Sequence, residues 1–268
     1  RYGLDDPLYT RYAKWIFNFI RGDFGFSLAH RQPVSVIIGE RLILTIVVSL
    51  ASLLFAWAIA IPIGIYSAVH QYSAGDYVFT FFGFLGLAIP NFMLALILMY
   101  ISYSVFGSSV GGLFSPEYVT APWSFGKVID LLKHLWIPMI VVGTAGTASM
   151  IRILRANLLD ELRKTYVTAA RVKGLPEQRL RIKYPIRMAI NPIISTIGWI
   201  LPRLISGATI TSVVLGLPTA GPIFLQALQQ QDMYLAGSFV MILATLTVIG
   251  TLISDILLAV VDPRIRYD

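Results

Sequence analysis

Residues 158–187 read LLDELRKTYVTAARVKGLPEQRLRIKYPIR, and the reading of this stretch decides the fold. Leu159, Leu162, Tyr166 and Ala169 recur at helical spacing, whereas Arg163, Lys164, Arg171 and Lys173 fall elsewhere on the wheel. That pattern predicts an amphipathic helix. Gly174 can end it in a left-handed conformation, and Leu175-Pro176 prevents resumption. A second basic stretch, Glu177–Lys183, then leads to Tyr184-Pro185. Ten of the 21 Lys and Arg residues lie between Arg152 and Arg187. Two short helices joined at a glycine would form a rigid handle that a soluble partner could grip, with Ala169 and Ala170 permitting close backbone approach. The alternative is an ordinary basic loop touching lipid headgroups.

The sequence on either side of this stretch is that of a membrane protein. Mean hydropathy is +0.74, and only 13% of the 268 residues are charged, against about 25% in soluble domains. A span of about 30 Å of hydrocarbon needs roughly 20 apolar residues. Five segments qualify: 42–66, 78–106, 135–154, 189–215 and 236–261. Pro90-Asn91 falls near the middle of the second and predicts a kink there. The fold class expected is therefore an all-α integral membrane protein with five transmembrane helices.

The Lys/Arg bias places the basic stretch in the cytoplasm, and alternation places the rest. Residues 1–41, 107–134 and 216–235 fall outside. Residues 67–77, the loop 158–188 and the tail 262–268 fall inside, around a transmembrane domain spanning 42–261. A first segment outside implies a sixth, N-terminal helix preceding it. Its six basic and four acidic residues sit less well outside than the loop's ten and three sit inside. Within that segment Leu8, Tyr12, Trp15, Ile16 and Phe19 share a helical face. It reads either as a helix lying on the membrane or as a small packed cap. Residues 116–134 read as an outside elaboration with a short helix over 125–132.

There is no cysteine, so disulfides and thiolate metal sites do not arise. His30, His70 and His134 are far apart and lack metal-ligand spacing. No Gly-x-x-x-x-Gly-Lys-Ser/Thr loop is present to hold a nucleotide; Phe125-Gly126-Lys127-Val128 is no substitute. The basic balance of +7 is explained by topology better than by nucleic acid. Charges inside a bilayer are costly, so Arg203 in the fourth span and Asp255 in the fifth are expected to pair or to line a pathway. Asn91, Ser206, Thr209 and Thr211 are candidates for a polar path or, more ordinarily, for helix–helix hydrogen bonds. The run 143–149, Gly-Thr-Ala-Gly-Thr-Ala-Ser, reads as a small-residue packing surface.

Thr168-Ala169-Ala170-x-x-x-Gly174 followed by Ile182-x-Tyr184-Pro185 resembles the cytoplasmic signature loop of bacterial ABC importer permeases, most closely the dipeptide/oligopeptide branch. Thr stands where the family pattern has Glu, and Tyr where it has Leu. Other segments resemble the branch in order along the chain: Gly22–Ser27, Arg31-x-Pro33-Val34, Glu40-Arg41-Leu42, Pro62-Ile63-Gly64, Asp232-Met233-Tyr234, Ser254-Asp255-Ile256 and Asp262-Pro263-Arg264. Pro218-Thr219-Ala220-Gly221 departs from a common Pro-Gly-x-Gly turn. The resemblance implies an ABC importer permease fold without catalytic residues or metal. It makes Thr168, Ala169, Ala170, Lys173 and Gly174 a coupling element for an ATPase. ATP and Mg would be bound by two partner ATPase subunits. It also implies a second permease, an extracytoplasmic solute-binding protein and a bacterial or archaeal inner membrane. Peptides are the expected substrate, with oligosaccharides, nickel or opines as alternatives. An ion-coupled secondary transporter would show two related halves, and none is apparent. An intramembrane enzyme would need a nucleophile–base pair or metal cluster in the spans.

Overall fold

The computed structural model describes residues 7–107, 111–196 and 209–261. Its secondary structure is helical apart from one small ribbon. Helix α1 (Leu8–Ile20) leads to the antiparallel ribbon β1 (Phe26–Ser27) and β2 (Gln32–Pro33). Next come α2 (Val34–Val69), α3 (Ala74–Ala88), α4 (Asn91–Phe106) and the single turn α5 (Pro116–Val119). The long α6 (Phe125–Leu162) is followed by α7 (Thr165–Val172), α8 (Glu177–Lys183), α9 (Pro185–Ala189) and α10 (Asn191–Ser195). The last described helices are α11 (Thr209–Val214), α12 (Ala220–Gln229) and α13 (Met233–Val261).

Helices α2, α6 and α13 are each long and apolar enough to cross a membrane, at 36, 38 and 29 residues. Helices α3 and α4 form a fourth candidate, bent by 101° at Ile89-Pro90. Proline disfavours a helical residue before it; Ile89 is extended accordingly, at φ −82°, ψ 120°. The expected kink is thus a full elbow. The fourth expected span, 189–215, is only partly described: α10 enters it, α11 leaves it, and 197–208 lie outside the described residues.

Two expectations are corrected. The short helix over 125–132 is instead the start of α6, which runs unbroken to Leu162. Its polar first turns are bound by the preceding segment. Asp130 accepts from the Ser115 N–H and hydroxyl, both at 2.7 Å, and the Lys127 ammonium donates to the Ala121 carbonyl at 2.7 Å. The amphipathic helix after Leu158 is in turn two helices. Helix α6 ends at Leu162, and Lys164, with ψ 149°, opens α7.

Contacts sort the segments by end. At one end, Ala68 of α2 packs with Leu154 and Leu158 of α6 and with Ala189 and Ile193. There too Asp76 binds Arg155, and Arg187 donates to the Val260 carbonyl at 3.1 Å at the end of α13. At the opposite end, Val34 and Ile38 of α2 pack with Ala220 and Ile223 of α12 and with Leu235 and Phe239 of α13. Between them Leu44, Val48, Ala95, Leu135 and Val141 fill the core. Outside this core, apolar side chains such as Leu54, Phe81, Leu96, Val248 and Leu252 lie open, as membrane-facing helices require.

Glycine permits the closest helix approaches. A Cβ on Gly143 of α6 would sit 2.6 Å from Phe55 Cδ1 and 3.0 Å from the Ser52 carbonyl. One on Gly64 would meet Leu154 Cδ2 at 2.9 Å, which gives the Pro62-Ile63-Gly64 segment a packing role.

Candidate functional site: a helical hairpin at one end of the bundle

Helices α7 and α8 form a hairpin with its own small core. Val167, Ala170 and Leu180 are buried, with Tyr166, Leu175 and Tyr184 packed around them. The turn closes α7 by a Schellman arrangement, in which two N–H groups beyond the helix end reach back to its last carbonyls. Leu175 N–H donates to the Ala170 carbonyl at 3.3 Å and Gly174 N–H to that of Arg171 at 3.0 Å. This requires Gly174 at φ +79°, a region where an L side chain is strained. No atom lies within 4 Å of a Cβ built there, so backbone conformation alone demands glycine.

The hairpin is also clamped across its open side. The Arg171 guanidinium donates to Glu177 from Nε, and from Nη2 at 3.4 Å; Arg181 lies 3.5 Å from the same carboxylate. The hydrogen bond from Arg171 and the charge beside it hold the Glu177 carboxyl below its ordinary range. At its base the hairpin is continuous with α6 and α9. Leu159, Leu162 and Ile186 pack there against the Leu154–Leu158 cluster that also holds the end of α2. A force on the hairpin therefore passes through α6 and α9 to the end of α2.

Of the five expected coupling residues, Thr168, Ala169, Lys173 and Gly174 are exposed on the outer surface. Ala170 is not; it is buried beneath, and its small side chain lets α7 close on α8. Two exposed apolar residues join the outer face, Val172 at 82% and Ile182 at 62% exposure. A helical wheel could have flagged Val172, since Thr168 and Ala169 lie three to four residues before it.

The intramembrane candidates are not brought together among the described residues. Asn91 is half-buried as the first residue of α4, at the elbow. Asp255 is half-buried on α13, next to Ser254, whose hydroxyl donates to the Ile194 carbonyl at 3.0 Å. Arg203 and Ser206 lie outside the described residues, as does any Arg203–Asp255 pair. Thr211 is buried on α11.

The structure reveals a pair that the sequence did not announce. Asp76, 2% exposed, accepts from Arg155 Nε at 3.2 Å and Nη2 at 2.9 Å. The Tyr72 N–H adds a third bond at 3.0 Å. This fixes the start of α3 to α6 beside the hairpin. At the opposite end, the Ser27 hydroxyl donates to Asp232 at 2.5 Å and the Ser238 hydroxyl to the Phe24 carbonyl at 3.2 Å. The Gly22–Ser27 and Asp232–Tyr234 segments are thus two sides of one joint. Among the described residues no cluster of potential ligands could hold a metal ion.

A bundle of long apolar helices carrying a rigid hairpin on one end is the form of an integral membrane protein. Residues 60–267 match the family described as binding-protein-dependent transport system inner membrane component, and the chain belongs to that family. It is a multi-pass membrane protein and the permease subunit of a binding-protein-dependent ABC importer. Over its full length it is 39% identical to the oligopeptide transport system permease protein AppB of Bacillus subtilis, covering 83% of that protein. It is 30% identical over 99% of its length to the dipeptide transport system permease protein DppB of Escherichia coli, again covering 83%. Its fold is similar to that in an inward-facing structure of the MetNI methionine ABC transporter. The TM-score is 0.60, at 17% identity, over 84% of this chain and 96% of that one.

Proposed function

We propose that this permease carries peptides inward and takes its power stroke through the α7–α8 hairpin, which seats in a cleft of an ATPase subunit on the cytoplasmic side. The observation that carries the reading is a self-contained hairpin, locked by Gly174 and Arg171–Glu177, that presents Thr168, Ala169, Val172 and Lys173 outward. Ala170 contributes by closing the hairpin rather than by touching the partner. ATP and Mg belong to two ATPase subunits. A second, related permease supplies the other wall of the pathway, which Asn91, Arg203 and Asp255 help to line or brace. Delivery falls to an extracytoplasmic binding protein docking on residues near 1–41, 107–134 and 216–235. Peptides are favoured over oligosaccharides, nickel or opines because the relatives are named as oligopeptide and dipeptide permeases.

Rocking follows from the packing. The hairpin has its own core and joins, through α6 and α9, the cluster that holds the end of α2, so closure of the ATPase pair would displace these elements together. The chain contains no cysteine, which makes the test direct. Ala169→Cys and Val172→Cys should cross-link to single cysteines in the ATPase cleft, whereas Gln178→Cys on α8 should do so less. Equal cross-linking at all three, or none, would refute the seating.

A further inference from the structure

Helix α1 bears more apolar surface than the protein covers. Its Trp15–Phe19 side faces inward. Gly237 of α13 leaves room for Trp15, since a Cβ there would lie 3.3 Å from the indole, and Phe19 meets Phe24 edge-on at 4.9 Å. An adjacent arc of the same helix holds Tyr9, Ala13, Phe17 and Ile20, and these are open, with Tyr9 76% and Ile20 77% exposed. Arg21 flanks this arc and stacks its guanidinium on the open Phe17 ring at 3.9 Å. Helix α1 itself contains no acidic residue.

The level of α1 along the bundle is set by α13. Its 29 residues rise about 43 Å, against about 30 Å of hydrocarbon, so about 6 Å projects at each end if the excess is shared. Trp15 touches Gly237, and the turn after α1 touches Tyr234 and Ser238. All three lie in the first two turns of α13, at the depth of the headgroups. We propose that α1 is a membrane anchor whose open arc beds into an anionic phospholipid surface. Tyr9, Phe17 and Ile20 reach the acyl boundary, and Arg21 meets headgroup phosphates. Interfacial helices work this way, by apolar burial together with attraction of basic residues to anionic lipid. The proposal depends on the sidedness given above only for which leaflet is used. Within the 1–41 segment it leaves the ribbon, rather than α1, to join the 107–134 and 216–235 segments in receiving the binding protein.

The test uses the assembled transporter in liposomes, with single cysteines carrying nitroxide labels at Tyr9→Cys, Phe17→Cys, Ile20→Cys, Arg11→Cys and Asn18→Cys. The first three should collide preferentially with oxygen, at depths of about 5–10 Å below the phosphates; the last two should favour a water-soluble nickel chelate. Immersion should be deeper in phosphatidylcholine with phosphatidylglycerol than in phosphatidylcholine alone, and Arg21→Gln should abolish that difference. Aqueous accessibility at all five positions would overturn the proposal. So would shielding that appears only when binding protein is added. Identical depths in the two lipid mixtures would overturn the anionic preference. Loss of the α7–α8 cross-links would leave all of these readings unchanged, so the two proposals fail separately.

Discussion

Gly143 and Gly146 lie one turn apart on α6, and replacing each with alanine should move stability in opposite directions. Alanine is favoured over glycine in a helix interior by about 0.8–1.0 kcal/mol, so both variants start with the same gain. At Gly146 the nearest atom to a new Cβ is Met150 Cε, at 3.9 Å, and the gain is kept. At Gly143 the Cβ would meet Phe55 Cδ1 at 2.6 Å and the Ser52 carbonyl at 3.0 Å. The ring can turn aside, but the carbonyl belongs to the backbone of α2 and moves only with that helix. Overpacking of this kind costs about 1–3 kcal/mol. The expected outcome is Gly146→Ala about 1 kcal/mol more stable than wild type and Gly143→Ala between unchanged and about 2 kcal/mol less stable. Phe55→Leu should recover part of the Gly143→Ala loss, giving a favourable coupling within the ~0.5–3 kcal/mol range of contacting pairs. Unfolding in mixed micelles, followed by circular dichroism against detergent composition, measures wild type, the three single variants and the Gly143→Ala/Phe55→Leu double. Gly143→Ala at or above the stability of Gly146→Ala would refute the close approach of α2 and α6.

Three further outcomes follow from particular contacts. Asp76→Asn should cost about 1.5–3 kcal/mol, the range for hydrogen bonds to charged groups, by the same unfolding assay. Arg155→Lys should cost nearly as much, because an ammonium cannot reproduce the two-pronged contact. Asp232→Asn should loosen the ribbon, seen as faster amide hydrogen exchange over 26–33 with 165–183 unchanged; equal exchange would contradict the joint. The clamp should be pH-dependent with a definite sign. The Glu177 carboxyl is depressed in the folded hairpin by its hydrogen bond from Arg171 and by the neighbouring charge. Its contribution is therefore complete above the unfolded value, near 4.5, and is lost as pH falls through the lower folded value. Exchange protection of 165–183, corrected for intrinsic rate, should hold down to about pH 4.5 and fall below it. Glu177→Gln should remove this dependence.

Helix membership was the legible part of this fold, and helix limits were the illegible part. Gly174 was readable because a glycine followed by Leu-Pro after an amphipathic run has few other uses, and it occupies the expected left-handed turn. The start of α6 was not readable. Lys127, Asp130 and His134 look like the edge of a membrane span until Ser115 and Ala121, in the irregular segment before the helix, are seen to bind two of them. The break at Arg163-Lys164 was hidden by periodicity that carries across it, with Leu162 and Tyr166 four residues apart. In the hairpin, composition suggested that both alanines allow close approach; only packing separates Ala169, which faces out, from Ala170, which faces α8. The Asp76–Arg155 pair joins residues 79 positions apart, and nothing local announces it.

Binding-protein-stimulated ATP hydrolysis by the complete assembly in liposomes, compared between wild type and Gly174→Asp, bears most directly on the hairpin as the coupling element. An aspartate at φ +79° is strained by about 1–2 kcal/mol and sets a negative charge on the outer face, while the helices of the bundle are untouched. The account predicts an assembled complex with basal hydrolysis, in which stimulation by the binding protein and transport are both lost. Unchanged stimulation and transport in an intact Gly174→Asp complex would contradict it.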